Sequence, residues 1–273
     1  MNQSKMTRKE FEKIKVLVKK NIGITLKDSK KALVISRFSK RLRELELDSF
    51  NEYIKYLRSH PEELEIMVNN ITTNVTHFYR ESAHFDYLKE VLLPEIKNNK
   101  KKKNIRGWSA ACSTGEEPYT IGLVVKENLP VSWNIKILAS DINTEVLNKA
   151  RQGIYPTNSV KNIPRELLPK YFLLGEGKNR GLFKVKNTLK QIINFKKINL
   201  NNGEEYPNDN SLDFVFCRNV FIYFNKETQE EIISRFEKVL RPGGRLFLGH
   251  SEKINLEKFK GWQVVAPTIY KKL

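Results

Sequence analysis

Ile105-Arg-Gly-Trp-Ser-Ala-Ala-Cys-Ser-Thr-Gly-Glu-Glu-Pro-Tyr119 is the stretch whose reading decides the fold. A strand expected over Ile105–Ala111 runs into small residues, and then into a helix that carries Glu117 and Pro118 in its early turns and extends to Asn128. A turn of Ala, Cys, Ser, Thr and Gly lets the backbone approach a ligand closely, as glycine-rich nucleotide loops do. The pattern is not G-x-G-x-x-G, and Glu116 and Glu117 stand where a pyrophosphate would sit. Two carboxylates repel that anion, so a cationic or zwitterionic ligand fits better than a dinucleotide. The plain alternative is a tight strand-to-helix turn without a ligand.

The same texture continues downstream. A strand is expected over Ile135–Ser140 with a helix through Ala150, then a strand over Leu212–Cys217. A helix from about Lys226 to Leu240 follows, ended by Arg241-Pro242-Gly243-Gly244, with strands over Arg245–Leu248 and Trp262–Tyr270. Alternation from Asn104 onward predicts a parallel sheet with helices on both faces. Tyr171–Leu200 instead holds short β-like runs, Leu182–Val185 and Gln191–Phe195, and reads as a small antiparallel insertion. Lys100–Lys103 reads as a solvated surface loop.

Ala139-Ser140-Asp141 ends the second strand and sets one carboxylate at the carboxyl edge of the sheet. In doubly wound folds an acid there accepts hydrogen bonds from ribose hydroxyls. Asp141 is also placed to cap the helix over Asn143–Ala150, a role compatible with ligand binding. An adenosine bearing a positive sulfonium and a zwitterionic methionine tail satisfies both the acidic turn and the ribose acid. That points to S-adenosylmethionine and to methyl transfer.

Upstream the pattern is helical from Phe11 to about Asn70, with breaks at Gly23–Lys27, near Asp48 and at His60-Pro61. The second helix, roughly Ser29–Leu45, puts Ile35, Phe38, Leu42 and Leu45 on one face and Lys30, Arg37, Lys40 and Arg41 on the other. Residues 1–43 carry 14 Lys and Arg against 3 Asp and Glu, so much of the net charge of +18 gathers here. Such a segment favours an acidic partner, although a lysine-rich composition alone also raises the total.

With 273 residues and 40% hydrophobic content, the chain can bury a substantial core as one large domain or two smaller ones. No apolar run is long enough to cross a bilayer and no signal-peptide core follows the N-terminus, so a soluble cytoplasmic protein without membrane insertion is expected. Two cysteines exclude a disulfide framework. His60, His77, His84 and His250 show no metal-ligand spacing, and no metal is expected.

Two further stretches are unusual: Thr72-Thr-Asn-Val-Thr-His-Phe-Tyr-Arg-Glu81 between the domains, and Phe216-Cys-Arg-Asn-Val-Phe-Ile-Tyr-Phe224, a buried strand ending in polar groups. Together with the two turns above and Arg241-Pro-Gly-Gly-Arg-Leu-Phe-Leu-Gly-His-Ser-Glu252, they closely resemble the CheR family, the glutamate methyltransferases that act on chemotaxis receptors. The resemblance covers nearly the whole chain.

It implies an all-helical domain, placed at residues 1–71, joined to an α/β Rossmann-like class I methyltransferase domain at 72–273. The latter would include a linker at 72–103 and a small antiparallel β-subdomain at about 168–198. It further implies esterification of glutamate side chains on the cytoplasmic helices of chemoreceptors, with S-adenosylmethionine as donor. Carried over by residue, Asn74, Thr76 and Arg80, the Glu116-Glu117 turn, Asp141, Asn199, Leu200, Asn219 and Val220 would hold the donor. Of the two turn acids, Glu117 is favoured. Arg80 and Tyr223 would stand nearest the methyl group, and Lys30, Arg37, Lys40, Arg41 and Arg43 would dock the acidic receptor helix. In some relatives the β-subdomain binds a receptor C-terminal peptide, and whether the Gly175–Phe183 loop does so here is left open by the sequence. A stand-alone, monomeric enzyme that binds no nucleic acid is expected. The competing readings are a nucleic-acid methyltransferase, which would also use a basic domain, and a non-catalytic donor-binding domain.

Overall fold

The computed structural model describes residues 6–99 and 103–273; Lys100, Lys101 and Lys102 of the expected surface loop lie outside the described residues. The N-terminal unit is built from α1 (Arg8–Ile22), α2 (Lys31–Glu44), α3 (Phe50–Ser59) and α4 (Glu63–Ile71). Side chains satisfy the open N–H groups where α1 and α3 begin: Thr7 and Glu10 form a reciprocal capping box, and Ser49 accepts from the Glu52 amide. Gly23 ends α1 in the left-handed region, and a Cβ there would lie 2.6 Å from Asn201 Oδ1, so this glycine also lets the two domains meet.

Helical spacing gathers Phe11, Ile14, Val18, Phe38, Leu42, Tyr53 and Met67 into one core. On α2 the buried face is Val34, Phe38 and Leu42, with Ile35 and Leu45 at its margin. The opposite side departs from the five-residue basic stripe. Lys30, Lys40 and Arg43 are exposed, but Arg37 and Arg41 turn inward. Arg41 meets the buried carboxylate of Glu63 through Nε and Nη2 at 2.8 and 2.6 Å, and Tyr53 donates its hydroxyl to the same carboxylate at 2.9 Å. Arg37 Nη1 donates to the carbonyls of Asn70, Ile71 and Thr72 at 2.9, 3.0 and 2.8 Å, closing the open end of α4. A buried acid and a bare helix terminus hold these two guanidinium groups, which removes them from the docking stripe.

After α5 (Ala83–Tyr87), a π-helical turn over Leu88–Leu92 and α6 (Leu93–Asn99), the chain alternates strand and helix: β1 (Asn104–Ala110), α7 (Glu116–Asn128), β2 (Asn134–Asp141), α8 (Thr144–Gln152). An insertion follows, with β3 (Ile154–Pro156), α9 (Thr157–Val160), α10 (Leu167–Tyr171), β4 (Phe172–Leu174), β5 (Leu182–Val185) and α11 (Asn187–Lys190). The remainder is β6 (Ile193–Lys197), β7 (Leu212–Cys217), α12 (Lys226–Val239), β8 (Leu240–Leu248), β9 (Trp262–Ala266) and β10 (Ile269–Lys272). The main sheet has the order β6-β2-β1-β7-β8-β10-β9, parallel through β8 and antiparallel in its last two strands. Strand periodicity divides the core: Phe214 and Phe216 face α7 and the α5–α6 segment, while Val215 and Cys217 face α12.

Four expectations change. Gln191–Phe195 does not belong to the antiparallel insertion; its residues enter β6, which pairs parallel with β2 from Ile137–Ile193 to Asp141–Lys197 and covers an otherwise open sheet edge. The small sheet is β3-β5-β4, so the insertion starts at Ile154 and ends before β6, earlier at both ends than 168–198. The closing strand splits into the β9–β10 hairpin, because Pro267 cannot donate to a ladder and Thr268 adopts φ 57°. Arg241-Pro-Gly-Gly244 likewise does not precede β8 but lies within it, at a register shift opposite Leu212 and Phe214.

Arg41→Ala strands the buried Glu63 carboxylate and is expected to lower the unfolding free energy by about 3 kcal/mol in denaturant titration, whereas Lys40→Ala should change it by less than about 0.5 kcal/mol. Equal effects would contradict the structural role of Arg41.

Candidate functional site

The sheet order reverses direction between β1 and β7, and ligands in such folds bind beyond the carboxyl ends of the strands at that point. A cavity of about 420 Å³ lies there. Its walls come from the turn after β1 (Ala111–Ser113), the ends of β2 and β7, the segment 198–200, the linker 72–77 with Arg80, and residues 22–27 of the helical domain. Asn74, Thr76, Arg80, Glu117, Asp141, Asn199, Leu200, Asn219, Val220 and Tyr223 all line it, as do Lys30 and Arg37. Glu116 does not line it, and neither do Lys40, Arg41 and Arg43.

The turn after β1 is strained. Ala111 and Ser113 sit at φ 64° and 50°, and Asn219 across the cavity at φ 59°. Gly115 begins α7 at φ 98°, with an added Cβ 2.8 Å from both the Ala150 Cβ and the Tyr155 hydroxyl, so only glycine fits. Asp141 accepts backbone N–H bonds from Ser113 and Asn143, each at 2.9 Å. Burial raises its pKa, a shift these backbone donors only partly offset. Each oxygen of the carboxylate takes one of these bonds and keeps acceptor capacity towards the cavity. Asp141 is not the cap of α8; Asn143 is, accepting from the Val146 amide at 3.1 Å.

Behind the turn lies Arg218, 6% exposed, at the end of β7. Its Nη1 donates to Glu117 at 3.0 Å, and its Nη2 donates to Glu81 at 3.1 Å and to the Arg80 carbonyl. Its Nε is buried with no partner. Ser109 adds a 2.7 Å bond to Glu117. Burial raises the Glu117 pKa against the pull of Arg218. Glu81 goes the other way: burial raises its pKa, but Asn219, Arg218 and His250 outweigh it and the net shift is downward. Glu116 faces elsewhere, accepting from the Thr114 hydroxyl at 2.6 Å. Glu252 receives the amides of Asn219, Phe221 and Gly249, and so shapes the loop that carries Asn219 and Val220. Sequence reasoning named the Arg218-Asn219 pair as a feature but assigned no role to Arg218 or Glu252. A lone arginine ending a fully buried strand was the available signal.

The helical domain closes the cavity through uncharged hydrogen bonds, some of them between backbones. The Thr25 amide donates to the Tyr223 carbonyl at 2.8 Å, and Ile24 forms an antiparallel bridge with Phe224. Asn199, expected beside the ligand, also donates to the Asn21 carbonyl at 2.8 Å. On the other flank, Asn143 donates to Thr72 Oγ1 at 2.7 Å and the Thr144 amide to Asn69 at 3.1 Å, pinning the end of α4 to the start of α8. Arg80 Nη1 donates to the Val75 carbonyl at 2.8 Å, which holds the linker in a loop over the cavity.

The placement of the two turn acids makes a prediction. In calorimetric titration, Glu117→Gln should weaken S-adenosylmethionine binding by at least about tenfold, through loss of charge beside a cation, while Glu116→Gln should change it by less than about threefold. The reverse ranking would overturn the assignment.

Comparison with known proteins agrees with this arrangement. Residues 9–72 match the family described as CheR methyltransferase, all-alpha domain, and residues 74–270 match CheR methyltransferase, SAM binding domain. The chain is 39% identical to a chemotaxis protein methyltransferase of Borreliella burgdorferi over 98% of this chain and 95% of that protein. It is 42% identical to chemotaxis protein methyltransferase 2 of Pseudomonas aeruginosa (90% and 87%) and 41% identical to the Escherichia coli chemotaxis protein methyltransferase (90% and 84%). Matched across both domains, the chain belongs to the CheR methyltransferase family and is an S-adenosylmethionine-dependent methyltransferase.

Proposed function

We propose that this protein esterifies glutamate side chains on the cytoplasmic helices of chemoreceptors, using S-adenosylmethionine as methyl donor. The observation that carries the reading is a cavity with Asp141 and Glu117 at a small-residue turn, Arg80 and Tyr223 among its lining residues, and Lys27 and Lys30 of the basic domain among them too. The residues present fit the donor. Asp141 has lone pairs free for the ribose hydroxyls, and Leu200, Val220 and Ile142 offer apolar surface for an adenine. Glu117, beside the small-residue turn, is the acid placed to meet the cationic end of the donor.

When bound, the donor supplies an electrophilic methyl group on a positive sulfonium. A glutamate acceptor, with an ordinary pKa of about 4.3, is already ionised at neutral pH and needs no general base. The anion and the cation become a neutral ester and a neutral thioether, so charge disappears along the path. A tight electrostatic grip on the acceptor carboxylate would oppose the step, while alignment and exclusion of water assist it. Here the strongly held guanidinium, Arg218, is occupied by protein carboxylates. Arg80, tied to the Val75 carbonyl, orients the reactants, and Tyr223, held through its own carbonyl by Thr25, shapes the channel.

Of the basic stripe, Lys30, Lys40 and Arg43 stay exposed to meet an acidic helix, with the exposed Lys27 beside Lys30 at the cavity. Among the described residues, no helix is long and apolar enough to cross a membrane.

Radiolabelled donor supplied with receptor-containing membranes should yield base-labile methyl esters on receptor, and none on RNA; label on RNA alone would refute the reading. In that assay Arg80→Ala should lower kcat/KM by about 100-fold, the scale expected when reactants are misaligned, and wild-type rates would remove Arg80 from the mechanism. Lys27→Glu with Lys30→Glu should raise KM for receptor several-fold with kcat unchanged, and the wild-type KM should rise with salt. A KM unmoved by charge reversal would contradict this docking surface.

A further inference from the structure

We propose that Glu81, His84 and His250 form a three-ligand site for a divalent transition metal of the zinc type, beside the donor cavity and separate from it. None of the three lines the cavity. Their ligand atoms all lie within 4.8 Å of one another: Glu81 Oε2 is 3.6 Å from His84 Nδ1 and 3.7 Å from His250 Nε2. A tetrahedral zinc ion with bonds of about 2.0–2.1 Å needs donor atoms about 3.4 Å apart, so the cluster is near that spacing before any ion draws it together.

The independent observation is the state of His84. This side chain is buried, and its Nδ1 has no hydrogen-bond partner. Its Nε2 pairs with Thr268 Oγ1 at 2.9 Å. With Nε2–H donating to that oxygen, the Nδ1 lone pair is directed at Glu81, the arrangement by which an outer partner orients a metal-ligating histidine. Glu81 is fixed by Arg218 and Asn219, whose bonds use one lone pair on each of its oxygens and leave one on each. His250, with a side chain 63% exposed, supplies both a route from solvent and the freedom to close on the ion.

Two imidazoles and a carboxylate suit zinc, cobalt or nickel rather than magnesium or calcium, with the fourth position left to water. The histidines showed no ligand spacing along the chain because His84 and His250 are brought together only by the packing of α5 against the loop after β8.

The test is metal titration of tag-free, chelator-stripped full-length protein. Cobalt(II) should bind at one equivalent with the visible absorption of a tetrahedral site, and zinc should displace it. His250→Ala and His84→Gln should each weaken binding by at least about tenfold, with His60→Ala unchanged. Because His250 is exposed, its variant is expected to keep the wild-type fold, checked by circular dichroism. Absence of one-equivalent binding, or binding unaffected by His250→Ala, overturns the proposal.

Discussion

The guanidinium of Arg218 is the interaction on which the rest of the site depends. It leaves the end of a strand buried on both faces and reaches Glu117 on α7, together with Glu81 and the Arg80 carbonyl on the linker. Three segments far apart in sequence are thereby held at one point. Its ring neighbour Phe85 lies 5.4 Å from the guanidinium carbon, so the cation is also packed against an aromatic face. Removing one partner of such a buried network leaves the others uncompensated, typically at a cost of about 3–5 kcal/mol. The arrangement gives the linker a defined path over the cavity.

Closure comes from the opposite side and by different means. Beside one ion pair, Glu65 with Lys197, the helical domain meets the seam through uncharged hydrogen bonds: the Thr25 amide to the Tyr223 carbonyl, Asn199 to the Asn21 carbonyl, and the Asn69, Thr72, Asn143 and Thr144 cluster. Uncharged partners specify distance and orientation without adding net charge near a reaction that consumes charge. The strained residues Ala111, Ser113 and Asn219 lie where these two systems meet, consistent with strain held at a site by the packing around it.

Much of this was legible in the sequence, for identifiable reasons. Leu212–Cys217 was found with its true bounds because a strand buried on both faces is a continuous apolar run, and the turn after β1 declared itself through its small residues. What escaped depended on distant partners. Gln191–Phe195 looks alike whether it pairs within an insertion or at the edge of the main sheet; only the open flank of β2 decides. Arg37 and Arg41 have the helical spacing of a solvated stripe, and their inward turn follows from Glu63 and the end of α4, over twenty positions away. Asp141 was expected to cap α8, but its carboxylate is taken by the amides of Ser113 and Asn143, and Asn143 caps the helix instead. Family resemblance located most of the cavity residues and, of the Arg218 network, Glu117 and Arg80, but assigned nothing to Arg218 or Glu81, since a positioning group leaves no mark of its own chemistry.

The most direct test of the account is a crystal structure of the protein grown with S-adenosylhomocysteine. The ribose hydroxyls should lie within hydrogen-bond distance of Asp141, the adenine beside Leu200, and the amino acid end near Glu117 and Arg80, with the Arg218 bonds to Glu81 and Glu117 intact. Ligand density elsewhere, or an Arg218 displaced from both carboxylates, would contradict it.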